Sequence, residues 1–268
     1  VAQQVRVQAL TPGEALYEIR LTDGSVLFAR VTVAEGEIIV LVTSGGARLE
    51  VERSQIREVR VAQGRVVRGE FWRADPNSSR LFFTATGRTL EKGEAYIGTY
   101  FIVLPFVAVG VTDRVTIAAG APLFLSEFQW FYVAPKVQLL RTPRAQVSVG
   151  TLVLFVGDER VGINYGVGTF GTTDNSLTVG LGFGFTGEEF SNQPVAMIGG
   201  EARLSRRVKM ITENYFLPGE TGLLFSGGLR IIGERFSTDL ALAGGAGDGD
   251  FLCCAPLVNF SYAFGGRR

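Results

Sequence analysis

Along residues 80–268 apolar side chains return at every second position. In the stretch 176–185, Leu177, Val179, Leu181, Phe183 and Phe185 alternate with Ser176, Thr178, Gly180, Gly182 and Gly184. A period of two predicts an extended strand with one apolar face. The stretch 146–155 sets Val147, Val149, Thr151, Val153 and Phe155 against Gln146, Ser148 and Gly150, and 161–169 sets Val161, Ile163, Tyr165 and Val167 against Gly162, Asn164, Gly166 and Gly168. Runs of this length suit a tilted strand crossing a bilayer, which needs roughly 9–11 residues. The apolar face is then expected to meet lipid, and the small face a crowded or watery interior.

Charged residues keep the same phase. Glu201 and Arg203 oppose Ile198, Ala202 and Leu204; Arg230 opposes Leu229 and Ile231; Asp239 opposes Leu240 and Leu242; Lys209 and Glu213 share one face of 208–216. A charge on the lipid face near the midplane costs about 2–4 kcal/mol. Lys136, Glu201, Arg203, Lys209, Glu213, Arg230 and Asp239 are therefore expected to face the lumen.

Tight turns are expected at 112–114, 142–144, 172–175, 205–207 and 233–235, and longer loops at 123–129, 157–160, 186–193, 218–221 and 244–255. Taking 81–86 as a first strand and 94–111 as one long second strand, the count reaches about twelve. The expected fold is all-β: an antiparallel transmembrane-type barrel over 81–268. The soluble alternative, a β-sandwich, also alternates, but it would carry charged outer positions where these strands carry glycine, serine and threonine.

The first sixty residues read differently. Turn signals at 22–25, 34–37 and 44–47 separate short β-branched runs, predicting a meander of five short strands, with a 3₁₀ turn near Arg53–Ile56 before the last strand at 57–61. This order resembles small Sm-like or SH3-like β-barrels and defines a domain at 1–62. Residues 63–80, with mixed charges and Asp75-Pro76-Asn77-Ser78-Ser79, read as a linker.

Composition narrows the chemistry. Gly 35 and Phe 20 stand against no histidine, and 26 basic residues balance 26 acidic ones. In the N-terminal domain acids outnumber bases, so no nucleic-acid partner is expected. Without an imidazole, a serine nucleophile lacks its usual base, no P-loop is present, and no enzyme activity is expected. Asp239, Asp248 and Asp250 match no calcium-loop spacing, so neither metal nor cofactor is expected. The adjacent Cys253 and Cys254 are open to three readings: a vicinal bridge, a link to another chain, or two free thiols.

At the C-terminus Val258-Asn259-Phe260-Ser261-Tyr262-Ala263-Phe264 alternates strictly. It resembles the C-terminal strand signal of bacterial outer-membrane proteins, with Phe260, Tyr262 and Phe264 as the assembly signal, although Gly265 to Arg268 follow the final aromatic. Trp130, Phe131 and Tyr132, with Phe128, Tyr215 and Phe216, are candidates for aromatic girdles. Residues 80–268 as a whole resemble porin-like, uncharacterised outer-membrane β-barrels of Gram-negative bacteria. That resemblance implies an outer-membrane location, lipid as a partner and a periplasmic N-terminal domain, and a start at Val1 with neither an initiator Met nor a charged-then-apolar leader leads to the expectation that a signal peptide has been removed. Two functions follow: a structural or assembly protein whose N-terminal domain mediates protein contacts or self-association into an oligomer or polymer, or a passive porin-like channel for small solutes.

Overall fold

The computed structural model describes residues 4–5, 10–122, 130–217, 222–247 and 250–265. Phe128 with the rest of 123–129, residues 218–221, Asp248 and 266–268 lie outside the described residues. The chain divides into two compact units, the first ending at Ala74 and the second spanning Asp75–Gly265.

The first unit holds β1 (Gln4–Val5), β2 (Leu16–Leu21), β3 (Val26–Val33), β4 (Ile38–Thr43), β5 (Arg48–Glu52) and β6 (Ile56–Val61), with a 3₁₀ turn at Arg53–Gln55. Gly24, Gly36 and Gly46 take positive φ in the hairpin turns, a conformation that other residues reach only at a steric cost. Ile19, Val31, Ile39, Leu41 and Val59 form the core. The strand order is β1-β6-β2-β3-β4-β5. Among the described residues this is an open sheet, and the likeness to a small closed barrel goes no further than the meander.

Residues 63–80 are not an extended linker. Gly64–Val67 (β7) and Glu70–Arg73 (β8) form a hairpin, turned by Arg68 and Gly69, both at positive φ as a two-residue turn requires. The hairpin belongs to the first unit: Phe71 stacks on Phe28 at 4.3 Å between ring centroids, and Arg73 donates to the buried Glu18 carboxylate at 2.6 Å.

The second unit is a closed antiparallel barrel of twelve strands among the described residues. In chain order they are β9 (Glu94–Tyr100), β10 (Leu104–Thr112), β11 (Val115–Gly120), β12 (Trp130–Arg141), β13 (Ala145–Val156), β14 (Glu159–Gly171), β15 (Asn175–Thr186), β16 (Glu189–Arg203), β17 (Val208–Phe216), β18 (Leu223–Ile232), β19 (Phe236–Gly247) and β20 (Asp250–Gly265). Each pairs with the next, and β20 returns to β9, with Phe260 opposite Thr99. Two expectations fail in compensating ways. Residues 81–86 form no strand of the wall, and 94–111 is two strands, broken at Phe101 and Ile102, which both take positive φ.

Several expected long loops are also tight. β13 ends at Val156 and β14 starts at Glu159; β15 ends at Thr186 and β16 starts at Glu189. Gly157 and Gly187 at positive φ close these hairpins. β16 and β20, of 15 and 16 residues, exceed what a tilted strand needs to cross hydrocarbon.

The outer surface is apolar around the ring. Leu177, Val179, Leu181 and Phe183 on β15 are exposed, as are Ile97, Val107, Ile117, Leu139, Val149, Ile198, Met210, Leu229, Leu240 and Phe260 on other strands. On β14 the expected phase is inverted. Ile163, Tyr165 and Val167 face inward, while Asn164 and Phe170 are exposed. The cause lies across the ladder. Tyr165 pairs with Gly150 on β13 and Gly182 on β15, and a Cβ at Gly150 would lie 2.6 Å from the Tyr165 hydroxyl oxygen. Inward glycines make room for one inward phenol.

Candidate functional site

The lumen is crossed by residues 75–90, here termed the strap, which runs through the barrel interior as irregular chain. Its backbone is held by a single isolated bridge, Arg80 to Ala85, together with Leu81 N donating to Thr84 O and Thr86 N to Ser79 O. Irregular backbone inside a barrel must find partners for its polar groups on the wall. The inward charges supply them.

In the half of the lumen nearer the turns at 172–174, 204–207 and 233–235, Arg203, Lys209, Arg230 and Asp239 lie side by side in register on β16 to β19. Lys209 Nζ donates to Asp75 Oδ2 and to Glu201 Oε2, each at 2.5 Å. Arg230 Nε and Nη2 donate to Asp239 at 2.6 and 3.2 Å, its Nη1 to Asp75 Oδ2 at 3.2 Å and to the Asn77 carbonyl at 2.6 Å, and its Nη2 to the Leu81 carbonyl at 2.6 Å. Glu201 also receives Arg88 at 2.8 Å, and Arg203 sits 3.5 Å from Asp174. These side chains are buried. Buried charges are tolerable only when paired and fully hydrogen-bonded, a condition that the strap completes.

Glu213 on β17 receives the tip of the strap. Its carboxylate accepts the backbone N–H groups of Phe82, Phe83 and Thr84 at 2.7, 3.1 and 3.1 Å, and the Tyr215 hydroxyl. Lys136 on β12 donates to three strap carbonyls, those of Ser79, Thr86 and Arg88, at 3.2, 2.9 and 2.5 Å. Gly87 N donates to Thr169 Oγ1 at 2.9 Å, and its carbonyl accepts from Gln138 and Ser148, each at 2.8 Å.

Above this network, in the other half of the lumen, lies a cavity of about 340 Å³. Tyr100, Phe106, Tyr132, Leu152, Tyr165 and Met197 form its walls, and Arg80 and Lys136 belong to its lining.

Every charge expected in the lumen is thus buried against the strap or a neighbouring wall residue. Asp75, Arg80 and Arg88, which complete the network, were not expected there; they stand in a stretch without periodicity. The expected aromatic girdle is divided. Phe131 is exposed and stacks on Phe155 at 4.7 Å, but Tyr132 lines the cavity, because three consecutive strand residues cannot share one face. By the same alternation Trp130 takes the phase of Tyr132, and Tyr215 turns inward while Phe216 is exposed. Phe260, Tyr262 and Phe264 lie on the outer face of β20, with Asn259 and Ser261 buried on its inner face. Cys253 and Cys254 are joined to each other in a disulfide on β20.

No protein-family model matches the chain, and no curated protein matches it. Among solved structures it is similar to a KdgM porin, at 9% identity and a TM-score of 0.46, covering 64% of this chain and 98% of that one. It is also similar to the NanC porin, at 9% identity and a TM-score of 0.39, covering 66% and 100%. A third likeness is to OccK5 (OpdH) of Pseudomonas aeruginosa, at 8% identity and a TM-score of 0.36, covering 94% and 96%. All three scores are low, and the barrel's own geometry carries its functional interpretation.

Proposed function

We propose that the chain is an outer-membrane β-barrel that acts without enzymatic chemistry as a conduit for small solutes, with its lumen held shut by the strap in the state described. The observation that carries this reading is the combination of an apolar belt around the ring with ion pairs inside it. A soluble protein seldom exposes so continuous an apolar surface, and a closed ring is one of the two architectures that satisfy backbone hydrogen bonds in hydrocarbon. Lipid of the outer membrane is then the partner of the belt, and Phe260, Tyr262 and Phe264 meet it on β20.

The strap makes the conduit a gated one. In this reading Arg230, Lys209 and the strap residues they hold obstruct the lumen, and passage requires the strap to shift. Charged groups on both strap and wall give it a polar surface along which to re-pair. The structural or assembly role expected for the N-terminal unit gains no support from the barrel's geometry.

Reconstitution into planar bilayers tests the reading. The expected result is little steady conductance for the native chain and frequent openings for a double variant, Asp75→Asn with Glu213→Gln, that loosens two of the strap's anchors. A double variant that still folds as a barrel, shown by its heat-dependent gel mobility, yet never conducts and never passes sugars in liposome swelling, would overturn it.

A further inference from the structure

We infer that the cavity above the strap is a binding site for a small carboxylate with an aromatic or short aliphatic body. The inference concerns equilibrium binding and holds whether or not the strap opens.

The walls select the body of the ligand. Tyr100, Phe106, Leu152 and Met197 present rings and aliphatic groups to a space of about 340 Å³, within the range of small-molecule pockets. Rings stacked as Tyr100 and Phe106 are, 4.4 Å apart, offer a flat apolar surface. Sugars and other polyols would lose hydrogen bonds to water here without recovering them.

The floor selects the charge. Lys136 is buried, and its Nζ donates to three carbonyls. Three acceptors require three N–H donors, which only the ammonium form carries. Among the described residues no carboxylate lies within salt-bridge distance of it. Arg80, the second cation of the lining, sits 5.0 and 5.1 Å from the Tyr100 and Phe106 ring centres and is already paired, its Nη1 lying 3.8 Å from Asp239 Oδ2 and its Nη2 donating to Ser261 Oγ at 2.7 Å, so the charge without an acidic partner is that of Lys136. The lining contains no aspartate or glutamate among the described residues. The Lys136 ammonium, buried beneath apolar walls with no carboxylate partner among the described residues, is stabilised by an anion and repels a cation.

Two hydroxyls add direction. Tyr132 Oη is buried beside the Tyr100 hydroxyl, with which it interacts, and the inward Tyr165 sits in the same lining. Each is a donor for an oxygen acid or for its apolar body's substituents.

The experiment is calorimetric titration of the full chain in nanodiscs with three probes of one shape: 3-phenylpropionate, 3-phenyl-1-propanol and 3-phenylpropylamine. The native chain is expected to bind the carboxylate about tenfold more tightly than the alcohol and to give no measurable binding of the amine. Lys136→Met is expected to erase the preference for carboxylate over alcohol. Gly180→Leu fills the cavity, since a Cβ at Gly180 meets only ordinary contacts at 3.5 Å or more, and is expected to abolish binding of both. Equal binding of carboxylate and alcohol by the native chain, tighter binding of the amine, no binding of any probe, or carboxylate binding untouched by Gly180→Leu would each overturn the inference. The three-probe comparison on the native chain stands even where a variant fails to fold.

Discussion

Lys209 and Arg230 lie directly opposite one another on adjacent strands, and both donate to the same carboxylate oxygen, Asp75 Oδ2, at 2.5 and 3.2 Å. Two like charges in cross-strand register are unfavourable by themselves. The barrel tolerates this pair because the strap delivers an acid between them.

Asp75→Asn therefore leaves Lys209 and Arg230 facing each other with Glu201 and Asp239 as their remaining anions. Removing one partner of a buried ion pair costs about 3–5 kcal/mol. The expected outcome is a lower unfolding midpoint in urea, with the barrel still formed. An unchanged midpoint would show that the strap does not neutralise the wall.

Gly87 lies against the wall. A Cβ there would collide with the Gln146 carbonyl and lie 3.1 Å from Thr169 N. Gly87→Val is expected to lift this part of the strap and break its bonds to Thr169, Gln138 and Ser148. Hydrogen exchange on the amide of residue 87 should accelerate at least tenfold while strand amides of β15 keep their protection.

The lipid belt can be tested by depth. Val179 lies midway along β15 with its side chain outward, and Val179→Arg is expected to cost about 2–4 kcal/mol in folding into liposomes. Leu252, exposed near the start of β20, sits towards the rim, where the same change costs about 0–1 kcal/mol. Equal costs at the two positions would contradict a belt of hydrocarbon depth.

In the first unit Glu18 has a pH signature. Burial raises its carboxyl pKa, but Arg73 and Arg20 outweigh burial and hold it below the usual value. A group depressed in the folded state stabilises fold over unfolded chain at pH above its unfolded pKa, near 4.5, and loses that contribution as pH falls through the lower folded value. Protection of the β7–β8 hairpin from hydrogen exchange should therefore fall as the pH drops below the unfolded value, and Glu18→Gln should flatten that dependence.

Alternation made β15 legible at once, because its inner positions are serine, threonine and glycine and its outer ones aliphatic. It misled on β14, where both faces read as plausible and the deciding fact lies in neighbouring strands: Gly150 and Gly182 flank Tyr165. The inward charges were legible because a charge has only one tolerable face in a membrane strand. The strap was not, since a chain that forms neither helix nor strand has no period, and Asp75-Pro76-Asn77 reads equally well as a surface turn. Its signal was indirect, in three cations, Arg203, Lys209 and Arg230, destined for adjacent inward positions in cross-strand register.

The most direct test of the proposed membrane location is a single-cysteine scan of β15, residues 177–183, in a Cys253→Ser, Cys254→Ser background, with a fluorophore at each site and brominated lipid as quencher. The result expected is quenching at 177, 179, 181 and 183 and protection at 178, 180 and 182. Quenching without alternation, or aqueous quenchers reaching the odd positions freely, would contradict a strand with hydrocarbon on one side and an enclosed lumen on the other.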